Sequence, residues 1–155
     1  MERRGGRTQA TTHRRGPFLT RLPLDTTVLV AVERSLLDLD DLICDDDEPA
    51  IAAITLAELG VGVQIASGKR RLARSEFLED VERNLLIIDY DSMVAQAHAE
   101  LLASVRRSGR PRGAHDLIIA ATALATGRTV VSSDRMGFAD IPGLSVRSAD
   151  RDRPI

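Results

Sequence analysis

Short aliphatic runs alternate along the chain with segments whose apolar residues recur at helical spacing, and few architectures accept that order. The runs 18–24, 50–54, 85–88, 129–132 and 144–146 read as strands. Between them, Val28, Leu29, Val32 and Leu36 repeat as a helix does, and helices are expected over 55–66, 69–84, 92–108 and 117–125. The 69–84 helix should bury Leu72, Phe77, Leu78 and Val81, and the 92–108 helix Val94, Ala97, Leu101 and Val105. The 117–125 helix is apolar all round apart from Thr122 and should lie against a sheet. Strands separated by helices demand parallel crossovers, so the expectation is a three-layer α/β sandwich around one mostly parallel sheet of four to five strands. With 155 residues the chain has room for one such domain.

Composition narrows the chemistry. No apolar run reaches the roughly 18–20 residues a membrane helix needs. Cys44 is the only cysteine, which excludes an internal disulfide and every cysteine-rich zinc site and fits a reducing cytoplasm. One Tyr, three Phe and no Trp cannot build a base-stacking platform. Six arginines and a single acid, Glu2, fall in residues 1–21, leaving a net acidic body. Residues 1–17 therefore read as a basic flexible arm before a domain over 18–155. That arm is a disordered leader or, alternatively, a nucleic-acid contact.

In open parallel sheets, ligands bind at the carboxyl ends of strands, where loops enter helices. Four acids occupy such junctions: Asp25 after the first strand, Glu58 near the start of the helix after the second, Asp116 before the apolar helix and Asp134 after the fourth strand. Each has a plainer reading. Thr55 and Glu58 have the spacing of a capping box, Asp25 and Asp116 suit N-caps, and Asp134 suits a turn. Caps, however, have no reason to gather at one edge of a sheet, whereas a metal site does. Four ionised carboxylates raise one another's pKa when gathered, and a divalent cation removes the conflict. Oxygen ligands without a Cys or His cluster favour Mg²⁺ or Mn²⁺ over zinc.

These same residues carry a resemblance. Leu24, Asp25, Thr26, Thr27, Val28 and Leu29 look like the opening of PIN domains, and Ile54, Thr55, Leu56, Ala57, Glu58 and Leu59 like their second acidic motif. The run from His115 and Asp116 through Ala123 resembles the third motif closely, and Val131, Ser132, Ser133 and Asp134, with Phe138 beyond, the fourth. The similarity covers about residues 20–148, and the size is that of VapC toxins from VapBC toxin/antitoxin pairs. Ser132 stands where Thr or Asn is commoner, and the arm has no counterpart. The resemblance implies a PIN-like sandwich with Mg²⁺-dependent endoribonuclease activity on RNA, a cognate VapB-like antitoxin, and a homodimer or toxin/antitoxin hetero-oligomer.

On this reading Asp25, Glu58, Asp116 and Asp134 are the catalytic set. Asp25 and Asp116 are direct metal ligands, Asp134 completes or shares a second position, and Glu58 orients or deprotonates the attacking water. Thr27 and Ser132 are placed to hydrogen-bond a carboxylate or a bound water. Arg106, Arg107, Arg110 and Arg112 either hold flanking phosphates or form a solvated basic loop. Gly60 and Gly62 read as close packing rather than a nucleotide fingerprint, and Asp45, Asp46, Asp47 and Glu48 as a solvated acidic turn. His98 reads as structural, and of the three histidines only His115 is positioned to reach substrate. No G-x-S-x-G elbow or P-loop is present, and Lys69, the one lysine, sits on a polar helix. The alternatives are a PIN-like module that binds nucleic acid or a partner without cutting, and a structure-specific DNA nuclease.

Overall fold

The computed structural model describes residues 20–150; the basic arm, Phe18 and Leu19 of the first predicted strand, and residues 151–155 lie outside the described residues. The elements run β1 (Arg21–Pro23), α1 (Thr26–Glu33), α2 (Leu39–Leu42), β2 (Glu48–Ala52), α3 (Ala53–Ile65), α4 (Gly68–Asn84), β3 (Leu86–Ile88), α5 (Ser92–Ser108), α6 (Ala114–Thr126), β4 (Val130–Ser132), α7 (Arg135–Phe138) and β5 (Val146–Ser148). β2 pairs in parallel with β1 on one side and β3 on the other, and β4 pairs in parallel with β5. A parallel bridge from Leu24 to Val131, with the Asp25 amide donating to the Val131 carbonyl at 2.9 Å, sets β4 beside β1. The strands therefore follow the order β3-β2-β1-β4-β5, and chain progression reverses between β1 and β4. That reversal is a topological switch point, and in sheets of this kind the crevice outside it is where ligands bind.

Alternation along the strands creates the layers. Ile51 and Val131 belong to one apolar cluster with Leu22, Leu24, Val28, Leu29 and Val81. Their neighbours Ala52 and Val130 belong to another with Leu101, Leu117, Ala120 and Phe138. Successive side chains on a strand point to opposite faces, so each strand supplies both cores. α1 and α4 cover one face; α5, α6 and α7 cover the other. Among the described residues no helix is long and apolar enough to cross a membrane.

Several boundaries differ from the sequence expectation for identifiable reasons. β2 begins at Glu48 and contains Pro49. The Glu48 amide donates to Thr20 and the Ala50 carbonyl accepts from Leu24, both towards β1. The missing N–H of Pro49 thus faces the other side, where β3 pairs only from Ala50 onward. α3 starts at Ala53 with Ala52 as its N-cap, so Thr55 is already inside the helix and the predicted capping box does not form. Leu36 and Leu72 keep the apolar period but are 71% and 66% exposed. α1 has ended by Arg34, and Ser35 turns at φ 57°, which carries Leu36 out of the helix stripe. β5 lies two residues beyond the predicted run. The acidic turn is only partly solvated: the Asp47 carboxylate is 6% exposed, accepts from the Cys44 amide and pairs with Arg147 at 3.3 Å.

Candidate active site at the switch point

Asp25 stands where β1 gives way to α1, at the N-cap position, yet its carboxylate caps nothing. Its Oδ2 instead accepts from the Thr27 and Ser132 hydroxyls, each at 2.7 Å. Ser132 is the last residue of β4, so this bond spans the switch point, and both Asp25 and Ser132 are buried. A carboxylate buried with two hydroxyl donors on one oxygen is fixed in orientation and has its other oxygen left for a ligand. The sequence expectation for Thr27 and Ser132 is met at this carboxylate.

Asp134 is at once a cap and a member of the site. Its Oδ1 accepts from the Met136 and Gly137 amides at 3.1 Å, starting α7, a helix the sequence did not announce. A Cβ on Gly137 would lie 3.2 Å from Asp134 Oδ2 and 3.3 Å from Asp116 Oδ2, so both carboxylates rest against that glycine. Asp116 lies in the first turn of α6, where a negative charge suits the helix dipole. Burial first, and then the charges of Asp25, Asp134 and Glu58, push its carboxyl above the ordinary carboxylate value, while His115 opposes them. Asp25, Asp134 and Glu58 therefore all lie within electrostatic reach of Asp116, although the four acids come from beyond the end of β1, from α3, from α6 and from beyond the end of β4.

Glu58 is engaged on both oxygens. His115 Nδ1 lies 2.6 Å from Oε1, and the Thr26 hydroxyl donates to Oε2. The sequence placed His115 only near substrate and did not pair it with Glu58; the helical register that puts Asp116 into the site turns its neighbour towards α3. The two side chains are 53% and 28% exposed, so the pair faces the crevice rather than the core. His98 bonds instead to the Tyr90 hydroxyl at 2.9 Å, in line with a structural part.

The chain matches the model of the PIN domain over residues 23–144. It belongs to the PIN-domain family. Within that family, this PIN domain is similar to ribonuclease VapC5 of Mycobacterium tuberculosis, with 37% identity over 115 residues, covering 72% of this chain and 81% of the relative. Ribonuclease VapC2 of Rickettsia felis is 30% identical over 111 residues, with the same coverage. The crystal structure of VapBC2 from Rickettsia felis, bound to a DNA fragment from their promoter, contains a chain that superimposes with a TM-score of 0.77 at 27% identity, covering 84% of this chain and all of that one.

The chemistry of the PIN domain's donor set bears on which cation it would suit. Among the described residues no three His, Cys, Asp or Glu side chains converge closely enough to enclose an ion. The donor set is oxygen only, and its one nearby imidazole is already paired with Glu58. Such a set suits a hard cation that keeps several waters and takes one or two carboxylates directly, which describes Mg²⁺ or Mn²⁺ and not zinc.

The arginines predicted around the end of α5 divide. Arg106 and Arg107 are exposed in the last turn of α5, and Arg110 makes an exposed pair with Asp140 at 3.7 Å. Arg112 points inward to the α7 backbone. Gly60 and Gly62 do not mark tight packing: a Cβ at Gly60 would meet nothing within 4 Å, and one at Gly62 only Arg74 at 3.7 Å.

Proposed function

We propose that this PIN domain is a Mg²⁺- or Mn²⁺-dependent endoribonuclease and the toxin of a toxin/antitoxin pair. The observation that carries the proposal is the gathering of Asp25, Asp134 and Glu58 within electrostatic reach of Asp116 at the switch point, with Asp25 oriented by hydroxyls from the first turn of α1 and the end of β4. Relatives named as ribonucleases supply the choice of RNA. Asp25 and Asp116 would hold the cation, with Asp134 sharing it. When bound, the cation supplies positive charge that lets an acidic crevice accept a phosphodiester and stabilises the transition state. Glu58 takes the proton of the attacking water as the new P–O bond forms, and the P–O bond to the departing sugar oxygen breaks. His115 and Thr26 hold Glu58 in place for that transfer.

The test is cleavage of a mixed cellular RNA pool by purified chain, with cut ends mapped. Cutting should stop in EDTA, return with Mg²⁺ or Mn²⁺, and remain low with Ca²⁺, whose flexible coordination positions water poorly. Full activity in EDTA would overturn the cation reading, and no cutting under any cation would leave a binding module.

The partner follows from the groove beside Glu58, between α1, α3 and α4. Val61 and Ile65 are 58% and 78% exposed there, and Arg74 and Glu33 pair at 3.0 Å on its wall. It suits a VapB-like segment that lays apolar anchors on Val61 and Ile65 and reaches a cation into the acids. Co-expression with the adjacent reading frame should give a stable hetero-oligomer with cleavage suppressed. Free expression without toxicity, and no copurifying partner from the host, would remove the toxin reading.

A further inference from the structure

Arg112 lies in the short connection between α5 and α6, four residues before Asp116. Its Nη1 donates to the carbonyls of Met136 at 3.2 Å and Gly137 at 3.0 Å, and its Nη2 donates to that of Ala139. α7 has only four residues, so the carbonyls towards its C-terminal end have no following helical turn to bond, and a guanidinium is well suited to collect them. At the other end of the same helix, Asp134 caps the Met136 and Gly137 amides. Gly137 is therefore held from three sides: its amide by Asp134, its carbonyl by Arg112, and its Cα against the facing oxygens of Asp134 and Asp116.

We infer that Arg112 is a positioning residue for the acidic site, fixing α7 so that Asp134 stands at a set distance from Asp116. Both terminal nitrogens of Arg112 are engaged by protein carbonyls. Arg110, two residues earlier, has only the exposed Asp140 pair and serves as the contrast. The inference rests on the cation reading above, and Mn²⁺ affinity is the quantity that separates the two.

Mn²⁺ binding to the full chain is measured by the loss of the free-ion EPR signal, alongside thermal melting and RNA cleavage kinetics, for Arg112→Gln, Arg112→Lys and Arg110→Gln. Arg112→Gln should weaken Mn²⁺ binding about tenfold, the scale of losing an outer partner of a metal ligand. Its KM for RNA at saturating Mn²⁺ should stay within about twofold of the unmodified protein, with kcat recovering as Mn²⁺ is raised. Arg112→Lys, which keeps the stem and charge but cannot fork across three carbonyls, should lie between, and it carries the test if the Gln variant does not fold. Arg110→Gln should match the unmodified protein. Unchanged Mn²⁺ affinity with a raised KM would make Arg112 a phosphate contact, and unchanged affinity with only a lower Tm would make it a fold latch. Either overturns the inference. Failure of the unmodified protein to bind Mn²⁺ overturns the cation reading, and the role of Arg112 falls with it.

Discussion

Asp116→Asn should abolish cleavage and at the same time make the metal-free protein harder to melt at neutral pH. The Asp116 carboxyl is raised above its ordinary value, by burial first and then by Asp25, Asp134 and Glu58. A carboxyl that holds its proton more tightly in the folded state stabilises the fold below its unfolded pKa, and that contribution disappears as pH rises through the folded value. At pH 7 the ionised group is therefore worse placed in the fold than in the unfolded chain. Asn keeps the shape and removes the charge. A rise in Tm is expected at neutral pH, vanishing below the ordinary carboxylate range, where Asp116 is itself protonated. Millimolar Mg²⁺ should raise the Tm of the unmodified protein and leave the variant nearly unmoved, since only the former binds it well. Cleavage should fall by more than the roughly 10–100-fold that loss of an outer-shell partner costs, because a direct ligand is gone. A variant that melts lower and still cuts would mean that Asp116 serves the α6 dipole and nothing else.

How far the chain could be read without coordinates depended on the range of the forces involved. The order of strands and helices was legible because both cores draw on period-two strands and on helices such as α5, whose Val94 and Leu101 are buried on one stripe. Ends were less legible where tertiary pairing overrides pattern. Pro49 lies outside the 50–54 run expected as a strand and is admitted to β2 only because β3 has not yet begun beside it. Leu36 and Leu72 satisfied the period and yet face solvent. That Asp25 and Asp134 follow strands whose ends share one edge was legible, because a doubly wound sheet sends the ends of its strands there. The partners of the acids were not, because Ser132 reaches Asp25 across 107 positions of sequence and His115 reaches Glu58 across 57. At Asp134 the cap reading leaves room for a site reading, since Oδ1 caps α7 while Oδ2 faces the same glycine as Asp116 Oδ2. The sequence leaves Arg112 between a phosphate contact and a solvated loop, because loop arginines usually meet solvent or substrate; only the fold brings the carbonyls of α7 to it.

Gly113→Ala should disable the site while leaving the fold almost untouched. Gly113 is the N-cap of α6, at φ −57° and ψ 132°, a conformation open to any residue, so the substitution carries no backbone strain. What it does carry is a methyl group 2.5 Å from Asp116 Oδ2 and 3.2 Å from its Cγ. The first separation is intolerable and the second tight, and the cheapest relief is rotation of the Asp116 side chain out of its present position. A displacement of about 1 Å at a reacting group can cost on the order of a hundredfold in rate, so cleavage should drop by roughly 10–100-fold with weaker Mn²⁺ binding. Stability should fall by only about 0.5–1 kcal/mol, the cost of replacing a glycine N-cap by the poorer alanine, which is too little to unfold the domain. Gly60→Ala supplies the opposite case. Its new methyl meets nothing within 4 Å and replaces a glycine inside α3, so the helix should gain about 0.5–1 kcal/mol with cleavage unaltered. If Gly113→Ala cuts RNA as well as Gly60→Ala does, the orientation of Asp116 seen against Gly113 is not the one that supports the reaction. The direct-ligand assignment of Asp116 would then have to pass to another carboxylate.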